Sequence, residues 1–342
     1  MLVAKPMLDT VQSIITIKSA GKMDFHVNLR KTDAYTTNVG DVEYRETINN
    51  HPDRKIKFQN WAMSQVLEVG KVPKAFFDRC GDALQRDIYN EHVSSKDKVM
   101  LFRRAPNPVN QIADAEWEIR AVMSNVYGII DDDQVFPAVV ETLKEIGITQ
   151  YTVLEYDDHV TRLMVEFPDT HTSYAGHATS AGLIITNSET GHSAVWVEPT
   201  VFHNQLHFHH RGSLRAQAVD CRIVHRGEIE NKRLKEMVLK NKEIAQVGIL
   251  QLADAWNNRV SKPEAIAFVG RIDMFPDRLK AIFSEKMSDI EDISKAEVAQ
   301  SIIQLAATLP LFQRIQVEGT AGSYIGLFNN YKARMASVME EI

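Results

Sequence analysis

From Tyr151 to His225 the chain reads as six strands in succession: Tyr151–Tyr156, Thr161–Phe167, Ala181–Asn187, Ala194–Glu198, Val201–Arg211 and Ala216–His225. No helical stretch separates them, so the run predicts a largely antiparallel sheet. Two strands precede it, Lys98–Arg104 and Glu116–Ser124. The second alternates Trp117, Ile119, Ala121 and Met123 on one face with Glu118, Arg120 and Val122 on the other. One helix intervenes at about Gln134–Ile146. The acidic Asp131–Asp133 opens it, complementing the helix dipole, and Gly147 closes it. The first third is mixed: Val11–Lys18 and Phe25–Leu29 read as strands, Thr32–Tyr44 as polar loop, and Asn60–Val69 and Lys74–Asn90 as helices. The last third is helical, with segments at Glu228–Asn258, Ser261–Val269, Pro276–Met287, Ser294–Thr308 and Gly322–Met339, and a capping-box spacing at Ser294 and Glu297. The expected fold is α+β: a largely antiparallel sheet core over 95–227 with one crossing helix, a mixed N-terminal part over 1–94, and a helical C-terminal part over 228–342.

Composition removes several classes. The 342 residues, 44% of them hydrophobic, can bury a sizeable core. Lys and Arg total 39 against 45 Asp and Glu, a net charge of −6, which excludes a uniformly basic nucleic-acid coat. Residues 95–227 hold the imbalance, with 11 basic and 17 acidic residues. Two cysteines, Cys80 and Cys221, cannot build a disulfide scaffold or a cysteine-rich zinc module. No apolar run nears the roughly 18–20 residues of a membrane span, and the N-terminus lacks a leader pattern. The expectation is a cytoplasmic protein, in the host cytoplasm if phage-encoded. Phosphate-loop, dinucleotide, GxSxG and HExxH patterns are missing, which leans away from an enzyme.

Three segments could carry chemistry. Eight of the 12 histidines lie between His171 and His225. On one continuous strand His203, His207 and His209 would share a face, a possible zinc or other divalent-metal site, against the plainer reading of a polar sheet face. Arg211, Arg215, Arg222 and Arg226 surround a single Asp220, and Arg103, Arg104, Arg120 and Arg162 lie on other strands. Converging guanidiniums would suit phosphates, whereas dispersed ones would be surface ion pairs. Asn187-Ser-Glu-Thr-Gly191 reads as a plain hairpin turn, a Ser/Glu ligand contact being the weaker alternative. Trp117, Trp196, Phe202 and Phe208 read as core rather than base-stacking platforms.

Two blocks, Glu118-Ile-Arg-Ala-Val-Met-Ser-Asn-Val-Tyr127 with the Asp131–Val135 helix start after it, and Gly182-Leu-Ile-Ile-Thr-Asn-Ser-Glu-Thr-Gly191 with the Ala-Val-Trp-Val-Glu strand after it, precede the helical tail after Glu228 in this order. The order resembles the phage/plasmid-like protein family called domain of unknown function 932, over roughly residues 98–260. That family follows N-S-E-x-G with an arginine and a C-x-N-G block. Here His203–Arg211 takes that place, so no role tied to the cysteine block carries over. The resemblance implies a phage or mobile-element origin and no defined activity.

The expectation is a non-enzymatic nucleic-acid-binding protein, with single-stranded DNA favoured, serving annealing in recombination or replication and forming a homo-oligomer. One alternative is a metal-dependent hydrolase built on His203, His207 and His209. The other is a virion structural protein, or an inhibitor of a host defence protein whose acidic middle meets a basic host partner.

Overall fold

A computed structural model describes residues 5–37, 41–46, 54–104, 117–174, 177–203, 206–209, 221–271 and 275–306. The architecture is α+β, with two multi-stranded sheets and helices dispersed around them.

The chain begins with α1 (Asp9–Ser19), where the sequence predicts a strand. Its β-branched residues favour strand locally, but Leu8, Val11 and Ile15 recur at helical spacing and are fully buried. The first sheet uses β1 (Met23–Asn28), β2 (Thr32–Thr36), β3 (Val42–Glu46), β4 (Arg54–Phe58), β5 (Val99–Arg104) and β6 (Trp117–Ser124), in the order β1-β5-β6-β4-β3-β2. All pairs are antiparallel except β4 with β6. The Thr32–Tyr44 segment, expected as loop, thus contributes the β2–β3 hairpin. The division at residue 94/95 falls inside this sheet, because β5 and β6 join strands of the first third. Between β4 and β5 lie α2 (Asn60–Val69), α3 (Lys74–Phe77), α4 (Asp82–Ile88) and a π-helical turn at Tyr89–Ser94. Ala62, Val66, Leu67, Tyr89 and Val93 form one core with Val27, Phe102, Ile119 and Val122 of the sheet.

The second sheet follows α5 (Asp132–Glu145). It contains β7 (Val153–Tyr156), β8 (Thr161–Glu166), β9 (Thr172–Tyr174), β10 (His177–Asn187), β11 (Val195–His203), β12 (Leu206–His209) and β13 (Arg222–Ile223). The order is β12-β11-β10-β8-β7, with β9 against β10 and β13 against β11, all antiparallel. The 27-residue α6 (Asn231–Asn257) crosses this sheet. Its Leu234, Met237 and Val238 share a core with Val135, Phe136 and Val139 of α5 and with Leu163, Leu183, Ile185 and Val197.

The chain then passes through β14 (Arg259–Ser261), α7 (Lys262–Gly270), α8 (Asp277–Lys286), β15 (Asp292–Ser294) and α9 (Lys295–Ala306). Ser294 and Glu297 make the expected capping box: Ser294 Oγ donates to Glu297 Oε2 at 2.7 Å, and the Glu297 N–H donates to Ser294 Oγ at 3.1 Å. The helix expected over Gly322–Met339 lies outside the described residues. No helix among the described residues is long and apolar enough to cross a membrane.

Candidate functional site

The alternation expected for Glu116–Ser124 breaks at Arg120. Arg103 pairs with Ala121 and Arg104 with Ile119, so Arg120 is the extra residue of a β-bulge. Ile119 and Val122 therefore join the same helix-covered core. Arg120 is turned instead toward the second sheet, where it donates from Nη1 to Glu189 Oε2 at 2.7 Å. Arg103 points the same way. It grips Asp24 through Nε and Nη2 at 2.9 and 2.8 Å, reaches Asp131 at 2.7 Å, and donates from Nη1 to the Glu189 carbonyl oxygen at 2.6 Å. Both guanidiniums are buried, at 0% and 1% exposure.

Their target is the Asn187–Gly191 turn. A hairpin turn between β10 and β11 is present as expected, but Asn187, Ser188, Glu189 and Thr190 are all buried. Each makes specific bonds. Asn187 Nδ2 donates to the Ile130 carbonyl and to Asp132 Oδ1, and its Oδ1 faces His225 Nε2 at 3.1 Å. Ser188 Oγ accepts from the His192 N–H at 3.0 Å. Glu189 accepts from Lys22 Nζ at 2.5 Å, from Arg120, and through Oε1 from the Asp132 N–H at 2.9 Å. That last bond sets a carboxylate at the N-terminus of α5, where the helix dipole favours negative charge. Thr190 offers its carbonyl to Trp61 Nε1 at 2.8 Å and to Gln65 Nε2 at 3.1 Å. Gly191 closes the turn at φ +82°, and a Cβ there would lie 2.5 Å from Met123 Cε.

The result is a charged seam between two apolar cores. Lys18, Lys22, Arg103 and Arg120 meet Asp24, Asp131, Asp132 and Glu189, four charges of each sign. Burial works against the Glu189 carboxylate, but Arg120 and Lys22 outweigh it and hold its pKa down at about 2. Burial also opposes the Arg103 charge, and Asp131 with Asp24 reverses that effect and raises its pKa. Lys22 is lowered, by burial first and by neighbouring Arg120. His225, buried and near Arg103, falls to about 4. It is thus neutral near pH 7. With Nε2–H directed at Asn187 Oδ1, its Nδ1 accepts from the Tyr127 hydroxyl. At the rim, His192 stacks on Trp61 with ring centroids 3.7 Å apart, and His159 lies 4.4 Å from His192. Both imidazoles share the Thr190 hydroxyl.

The remaining candidate arginines among the described residues are dispersed. Arg162 pairs with exposed Glu155 at 3.2 Å, and Arg222 lies over the Trp196 ring at 5.3 Å. Arg226 is exposed and Arg104 half-buried, while Arg211 and Arg215 lie outside the described residues. Arg103 and Arg120 thus do not join the other arginines in one surface groove: interior carboxylates hold both, Arg120 through Nη1 alone. Phe202 is core as expected, but Trp196 is only half-buried.

The expected line of three histidines is also broken. The chain doubles back after His203, which pairs with Leu206, while Phe202 pairs with His207 and Thr200 with His209. The i, i+4, i+6 spacing along one strand therefore does not occur. Among the described residues, no group of three or more His, Cys, Asp or Glu could hold a metal ion.

Compared with protein-family models, with curated proteins and with solved structures, the chain finds no match. Within the chain, the segments around Arg120 and around Glu189 meet in space: Arg120 bonds Glu189, and Tyr127 lies at the Ser188 carbonyl.

Proposed function

We propose that the chain is a nucleic-acid-binding protein of a phage or mobile element, acting on single strands without catalysis. One observation carries this reading. Arg162, Thr186, Trp196 and Arg222 are successive cross-strand partners on β8, β10, β11 and β13. Directly paired residues share a face, so two guanidiniums and an indole stand in one row on the face of the second sheet opposite α5 and α6, which also carries the buried cluster of Met164, Ile184 and Phe202. Three strand spacings set the end members about 14 Å apart. Thr186 is buried between them, whereas Trp196 is half-exposed and Arg222 exposed. An indole flanked by guanidiniums suits stacked bases and their phosphates. Glu155 competes for Arg162, and the net charge of −6 opposes polyanions, so binding is modest and strongly salt-dependent.

Fluorescence anisotropy with a labelled single-stranded oligonucleotide at low salt tests the reading. The wild type should bind at micromolar protein. Arg222→Ala should weaken binding and reduce the slope of log K against log salt by about 0.7 for one lost phosphate contact. Trp196→Ala should weaken binding without changing the slope. Absence of binding, or binding indifferent to salt and to both substitutions, overturns it.

A further inference from the structure

The Arg120 guanidinium is incompletely used. Nη1 is bonded to Glu189, yet Nε and Nη2 have no hydrogen-bond partner among the described residues, although the side chain is 2% exposed. Buried donors are nearly always paired, so an unmatched guanidinium edge marks a missing acceptor. The local charge count says what kind. Lys22 and Arg120 both converge on Glu189 Oε2, two cations on one carboxylate, which leaves this corner of the seam at +1. Arg103 with Asp24 and Asp131 leaves the neighbouring corner at −1, but neither of those carboxylates bonds the Nε or Nη2 of Arg120. Arg120 sits at the bulge, which re-aims its side chain toward the second sheet.

We propose that the Nε/Nη2 edge of Arg120 is a binding site for a small inorganic anion, no larger than sulfate, which supplies the acceptor that this edge lacks. The seam reaches solvent at the Arg103 end, where the Asp24 and Asp131 side chains are 20% and 19% exposed. The anion would bind to Lys22 and Arg120 together with Glu189, not in its place. Like the seam itself, the site is independent of the row proposed for nucleic acid.

The full-length protein is dialysed free of chloride and sulfate. Its melting temperature is then followed against bromide, chloride, sulfate and phosphate at constant ionic strength held with a bulky organic anion. A saturable rise for at least one small anion is expected, together with an anomalous bromide peak within hydrogen-bonding distance of Arg120 Nε or Nη2 in a bromide-soaked crystal. Arg120→Lys should lose the saturable response while retaining a cation for Glu189. An ordered water at that edge in the soaked crystal, or a melting temperature that does not saturate with any of the four ions, overturns the proposal. The crystal arm decides the matter if Arg120→Lys does not fold.

Discussion

Arg103 of the first sheet donates a 2.6 Å hydrogen bond to the main-chain carbonyl of Glu189, a residue in a turn of the second sheet. The two sheets are therefore joined through backbone as well as through ion pairs. Backbone attachment fixes where the Glu189 carboxylate can go, and the ion pairs fix what must surround it.

Glu189→Gln keeps the shape and removes the charge. Lys22 and Arg120 then face each other without a counter-ion, in an interior from which both are nearly excluded from solvent. Removing one partner of a buried pair costs about 3–5 kcal/mol. Urea unfolding should show a loss of that size with an unchanged m-value; a loss below about 1 kcal/mol would mean that the seam is hydrated.

Acid should weaken the fold in two stages. His225 has a folded pKa of about 4, below its ordinary 6.5, so the unfolded chain takes up the proton first. Stability therefore declines as pH falls from about 6.5 to 4, by roughly 3 kcal/mol at full effect. Glu189 has its folded pKa depressed to about 2, so its contribution is present above about 4.5 and is lost as pH falls toward 2. Chemical denaturation between pH 7 and 4.5 measures the first stage. It should be flatter in His225→Gln, and an unchanged slope there would assign the loss to other groups.

The Thr190 carbonyl has two donors, Trp61 Nε1 and Gln65 Nε2. Trp61→Phe removes one and should cost about 1 kcal/mol for the bond, plus packing against His192. Adding Gln65→Met leaves a buried carbonyl with neither donor. The double variant should lose at least about 1 kcal/mol more than the sum of the single variants. Strict additivity in the cycle would show that water replaces the lost donors.

Gly128 faces Gly227 so closely that a Cβ on it would lie 2.4 Å from the Gly227 nitrogen and oxygen. The same loop receives the Gly128 N–H on the His225 carbonyl at 3.0 Å. Gly128→Ala must push backbone from backbone, at about 3 kcal/mol, the upper end of overpacking costs, or more. Because that loop carries His225, the imidazole chemical shifts should move as well. Wild-type stability and shifts would place the two loops further apart.

Legibility in the sequence followed the strength of local signals. The succession of strands in the second sheet and the acid-capped α5 were readable because pattern and structure agree there. The buried turn was not, because Asn, Ser and Gly build the same turn in solvent or in the interior. Arg120 was misplaced because alternation assumes an unbroken pleat, and the bulge adds one residue. A signal did exist. Arg103 follows Met100-Leu-Phe102, and Arg120 sits between Ile119 and Ala121, so each charge stands within an apolar strand. Such residues are almost never buried unless paired, and partners could have been sought among the acidic residues.

The seam also bears on the order of folding. Lys22 and Glu189 are 167 residues apart in the chain, and Arg103 and Glu189 are 86 apart. Contacts that close loops of that length form only after both sheets exist, because local structure must first offset the entropy of closure. The charges of the seam then belong to the last barrier crossed in folding and the first crossed on the way out. Weakening Glu189 should leave refolding rates nearly unchanged and accelerate unfolding, so the seam sets the lifetime of the native state rather than the speed of reaching it. Stopped-flow refolding slowed as much as unfolding is accelerated would reverse that order.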